Sequence, residues 1–109
     1  MNAVTAPFEQ PLKELCQRFH VERLYLFGSA ADGRFQPSRS DLDFLVALEE
    51  QPPGEYADNY LDLARALEAL FQRPVDLVTE KSLRNPYLRE TVLTARQLLY
   101  DRRHEKVAA

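Results

Sequence analysis

Cysteine is nearly absent from this 109-residue chain: Cys16 stands alone, which excludes an internal disulfide or a cysteine-based zinc cluster and suits a reducing cytoplasm. An excess of cations is absent too. With 14 Lys and Arg against 17 Asp and Glu, the net charge is -3 and the pI near 5.4, so a broad nucleic-acid footprint is not expected. A small phosphorylated ligand stays open, because a few amides, a metal and one or two cations suffice to hold it. No apolar run approaches the ~18 residues of a membrane span, and Met1 to Gln10 has neither a basic n-region nor an apolar core. A soluble intracellular protein without a membrane partner is the expectation. Internal repeats and low-complexity blocks are missing as well.

What is present is ordinary globular composition, 45% hydrophobic and 28% charged, in a length suited to one small core. We read residues 1–109 as a single domain, with its core at about 11–100 and a polar, solvated tail at 101–109. Leu12, Leu15, Cys16 and Phe19 recur at helical spacing and predict a helix over Pro11 to Val21. Arg23 to Phe27 is short, apolar and stopped by Gly28, which predicts a buried strand. Ser29 suits an N-cap, with Ala30 and Ala31 opening a short helical turn that Gly33 ends. A surface loop then runs from Gly33 to Ser40.

A second strand is predicted from Asp41 to about Leu48, and Glu49 to Gly54, with Pro52 and Pro53, reads as a connector. Tyr60, Leu63, Ala64, Leu67, Leu70 and Phe71 follow the helical period, so a helix should run from Tyr56 or Asp58 to Phe71. Val75 to Val78 predicts a third strand, Pro86 to Arg96 a last helix, and Gln97 to Tyr100 a final short strand. The fold class is therefore α/β (α+β): a small mixed sheet of three to four strands flanked by helices.

Asp41 and Asp43, two apart in a strand, project to the same side, while Leu42 and Phe44 point to the other. Two carboxylates then converge. A divalent cation relieves their repulsion, and oxygen-only ligands suit magnesium or manganese. By itself the pattern equally fits a loop cap at Asp41 and an ion pair from Asp43 to Arg34 or Arg39. Asp76 interrupts an otherwise apolar strand, where an unpaired carboxylate is costly to desolvate and needs a partner. Were its strand beside that of Asp41 and Asp43, three carboxylates could hold two cations in a phosphoryl-transfer clamp. Gly28-Ser29 permits close backbone approach to an anion at a helix start, although an ordinary capped turn has the same sequence. His20, His104 and Cys16 show no metal-ligand spacing, and the tyrosines read mostly as packing residues.

The combination resembles the minimal nucleotidyltransferase (MNT) branch of the DNA polymerase beta-like nucleotidyltransferase superfamily. The resemblance rests on Leu26-Phe27-Gly28-Ser29, Ser40-Asp41-Leu42-Asp43-Phe44-Leu45-Val46 and Val75-Asp76-Leu77-Val78, and extends from about Leu12 to Tyr100. It implies the nucleotidyltransferase fold, with Gly28 and Ser29 holding the triphosphate of ATP and Asp41 and Asp43 binding two Mg2+ ions. Asp76 by the same resemblance binds the catalytic metal near the attacking hydroxyl. The sequence departs from many relatives after Gly-Ser: Ala30-Ala31-Asp32 replaces an early Arg, leaving Arg34, Arg39 and Lys81 as candidate phosphate cations.

Stand-alone domains of this size in the resembling family are commonly antitoxins paired with HEPN-domain ribonuclease toxins. The resemblance thus implies a hetero-oligomer in which AMP passes to a hydroxyl, such as a tyrosine, of the HEPN toxin. The alternative is a non-catalytic antitoxin that neutralises its partner by direct complex formation.

Overall fold

The computed structural model describes residues 5–28, 31 and 41–103, together with the backbone of 104, 106 and 107. Helix α1 spans Glu9–Arg18, entered through a 3-10 turn at Ala6–Phe8, and buries Leu12 and Cys16 one turn apart. It starts two residues before the predicted Pro11, which is tolerated because the first turn of a helix lacks amide acceptors anyway. It also ends earlier than predicted. Phe19 caps it, and His20 takes a left-handed φ of 59° that turns the chain into strand β1, Val21–Phe27.

Strand β1 is central, antiparallel to β2 (Leu42–Leu48) on one side and to β4 (Gln97–Asp101) on the other. That position accounts for the complete burial of Leu24 and Leu26. Helix α2, Pro53–Phe71, begins ahead of the predicted start at Tyr56 or Asp58. Pro52 and Pro53 do not prolong a connector; Pro53 occupies the first helical position, where a missing amide costs nothing and φ is already suitable. Leu63, Leu67 and Phe71 face the core, and Gln72 closes the helix in the left-handed conformation, its amide donating to the Glu68 carbonyl at 2.8 Å.

The α2 crossover returns the chain to β3, Val75–Thr79, which pairs in parallel with β2 and forms an edge of the sheet. Asn85 then caps helix α3, Pro86–Ala95, its Oδ1 accepting from the amides of Tyr87 and Leu88. The order across the mixed sheet is β3-β2-β1-β4, extended by a two-residue β5 at Lys106–Val107. The end of the chain is thus not simply solvated: Asp101 is buried in β4, takes three hydrogen bonds from Arg103, and β5 adds to the sheet.

The two faces of the sheet are unequally covered. Leu42, Phe44 and Val46 of β2 join Leu24, Leu26, Leu12, Leu63 and Leu67 in the main core, beneath α1 and α2. Phe71 stacks against both Phe8 and Phe44, with ring centroids 4.7 and 5.7 Å apart. On the other face, Leu45, Leu83 and Val92 form a small second cluster under α3, with Tyr25, Phe27 and Val78 packed against it. The acidic residues belong to that thinner face.

Candidate active site

Phe27, at the end of β1, lies opposite Asp43, and Asp43 lies opposite Asp76 on β3, so one row across three strands carries both acids. Strand alternation makes this necessary: Leu42 and Phe44 enter the main core, so Asp43 must face the other way. Gly28 follows immediately with φ +72°, a left-handed value that suits glycine. A Cβ there would collide with Oδ2 of Asp43 and stand 3.1 Å from its Cγ. The backbone therefore passes directly over the carboxylate.

The turn beyond Gly28 is held from both sides, since the Ala31 amide donates to the Gly28 carbonyl at 3.0 Å and Gln97 Nε2 donates to the Ala31 carbonyl at 2.9 Å. Gln97, first residue of β4, is a positioning group that no sequence pattern singled out. Ser29, Arg34 and Arg39 lie outside the described residues, as do Ala30 and the loop through Ser40.

Burial raises the Asp43 carboxyl above its ordinary pKa, and the negative charges of Asp76 and then Asp41 push it further. All three acids share one electrostatic neighbourhood. Asp41, just before β2, and Asp76 are exposed, and among the described residues no cation forms an ion pair with any of them. The donor set is oxygen only and its charges repel, which fits a hard divalent cation. The acids are near enough to interact but not closed into a cage: among the described residues no three acidic, histidine or cysteine side chains are gathered tightly enough to enclose a metal.

Two expectations need correction. Asp76 is not a desolvated carboxylate within a buried strand; β3 is an edge strand and its acid faces solvent, so its register opposite Asp43 matters, not a burial cost. Lys81 sits in the 3-10 turn Glu80–Ser82 beyond the far end of β3, one strand length from the acids, and is removed from any phosphate there. A cavity of about 310 Å³ lined by Cys16, His20, Glu49, Tyr100 and Arg102 is also at that far end, away from the acids.

The nucleotidyltransferase domain family model matches residues 9–99. Protein adenylyltransferase MntA of Thermococcus cleftensis is 39% identical over 88 residues, covering 81% of this chain and 82% of that protein. Among solved structures, a toxin-antitoxin with AMP-PNP superposes with a TM-score of 0.65 at 24% identity, covering 88% of this chain and 76% of that chain. A chain of the complex between tri-AMPylated Shewanella oneidensis HEPN toxin and MNT antitoxin gives 0.54 at 20% identity, covering 88% and 75%. At these identities the structures establish the shared fold. The extent of the family match and the identity to the Thermococcus protein establish the rest: this chain belongs to the nucleotidyltransferase domain family.

Proposed function

We propose that this chain is a magnesium-dependent protein adenylyltransferase, the antitoxin of a HEPN/MNT toxin-antitoxin pair, which transfers AMP from ATP to a tyrosine hydroxyl of its HEPN partner in the cytoplasm. The observation that carries the reading is the row Phe27, Asp43, Asp76, with Gly28 lying over the central carboxylate. In this reading Gly28 and Ser29 would bind the triphosphate, Asp41 and Asp43 would hold two Mg2+ ions, and Asp76 would serve as a further ligand for the catalytic ion. The ions supply neutralisation of phosphate charge. The acceptor hydroxyl oxygen forms a bond to the α-phosphorus as its proton passes to solvent, the bond from the α-phosphorus to the bridging oxygen breaks, and pyrophosphate leaves with that oxygen.

The chain's own contribution is orientation. Gly28 lets the backbone lie directly against the Asp43 carboxylate, and the exposed Asp76 lies on the edge strand, where a macromolecular hydroxyl can approach. The protein adenylyltransferase relative supports AMP transfer to protein, and the neighbour complexed with a tri-AMPylated HEPN toxin supports the partner class.

The test incubates the chain with its co-purified partner, Mg2+ and α-labelled ATP. Label on a tyrosine of the partner, lost in the Asp41→Asn/Asp43→Asn double variant, is the expected result. Absence of label, with neutralisation of the partner undiminished by the double variant, would instead establish the direct-binding antitoxin.

A further inference from the structure

Among the described residues, the strand that presents Asp76 has a neighbour on one side only. The Leu42 amide donates to the Pro74 carbonyl at 3.1 Å, which sets the parity of the parallel ladder: residues 74, 76 and 78 turn their peptide groups toward β2. Leu77 consequently turns its carbonyl to the open edge. There the Tyr60 hydroxyl, reaching from α2, donates a hydrogen bond to it. The Tyr60 ring itself packs against the main core, so the hydroxyl projects from a fixed base.

We propose that Tyr60 is a positioning residue for Asp76, clamping the outer side of β3 one residue beyond the acid so that it stays level with Asp43. The inner side of β3 is held by the β2 ladder and the outer side by this bond. Asp76 is exposed, so its place depends largely on the backbone that carries it. A metal site depends on such placement, because supporting contacts tune the affinity of the ligands they orient. The inference rests on the proposed metal-binding role of Asp76.

Tyr60→Phe retains the ring and removes only the hydroxyl, and Leu77 at the edge can accept from water instead. Tyr56→Phe, one turn earlier on α2, is the control. Two readouts are made on the full chain: Mn2+ titration in the presence of a non-hydrolysable ATP analogue, and hydrogen exchange of the Asp76 and Val78 amides, which face β2. Loss of one hydrogen bond predicts Mn2+ affinity reduced about 3- to 10-fold in Tyr60→Phe, with faster exchange in β3 and unchanged exchange in β1. Tyr56→Phe should behave as the parent in both. The unfolding temperature should fall by no more than about 8 °C. Unchanged β3 exchange overturns the clamp, and faster exchange with unchanged Mn2+ affinity reduces Tyr60 to a structural role and overturns positioning. Failure of the parent chain itself to take up Mn2+ overturns the metal reading, and positioning with it; the β3 exchange difference then still tells whether the hydrogen bond exists.

Discussion

The two ends of the sheet use charge in opposite ways. At the end where β1 begins, Glu49 pairs with His20 at 3.3 Å and with Arg102, while Arg23 lies between Glu22 and Glu80. At the end where β1 finishes, burial and the charges of Asp76 and Asp41 raise the proton affinity of Asp43, beside a glycine that admits no side chain. Charges arranged for stability are matched locally. Acids left facing one another beneath a glycine backbone mark the candidate site, where a counter-charge from outside the chain would relieve their repulsion.

The largest effect should come from breaking what both ends share. Phe44→Ala removes a fully buried ring from the main core beneath the row of acids, and should cost about 3–5 kcal/mol in denaturant unfolding. Next, Asp43→Asn attacks the acidic end alone: labelled AMP transfer should fall by at least about 100-fold, since supporting groups around a metal already cost roughly 10–100-fold. Gly28→Ala follows, adding about 1–2 kcal/mol of left-handed backbone strain and a collision with Asp43, readable as lost stability together with lost nucleotide binding.

Acidity separates the ends further. A carboxyl whose folded pKa lies above its unfolded one binds protons more tightly when folded, so its ionisation destabilises the metal-free fold. The Asp43 contribution should therefore improve as pH falls from neutral through its raised pKa, level off below the ordinary aspartate range, and vanish in Asp43→Asn. Thermal unfolding against pH in chelator, parent against variant, measures it. The smallest effect belongs to the paired end. Glu49→Gln removes partners of the exposed His20 and Arg102 and should change stability by less than about 1 kcal/mol while leaving AMP transfer intact; a large loss of transfer would abolish the distinction between the ends.

Legibility in the sequence followed the strength of local patterning. The period of Leu63, Leu67 and Phe71 marked α2, and the alternation of Leu42 and Phe44 put Asp43 on the face away from the main core, as the structure has it. Helix starts were less legible, because Pro11 and Pro53 signal both chain breaks and first turns. The short β5 carries no period that two residues could display. Within the candidate site, Asp43 and Gly28, which the structure sets one against the other, stood out by residue type and spacing. Tyr60 and Gln97 did not, since a tyrosine on an apolar helix face and a glutamine opening a strand are ordinary, and their bonds go to backbone carbonyls 17 and 66 residues away.

Residue order alone determined the alternation of helices and strands, the side of β2 on which Asp43 lies and the need for glycine at the turn, because each depends on torsions and periodicity within a few residues. Only the tertiary structure decided that Asp76 stands opposite Asp43 on an open edge and that Lys81 is a strand length away. Strand order and parallel register arise from packing between distant segments: the α2 crossover covering one face brings β3 beside β2, and no local pattern encodes which neighbour a strand will find.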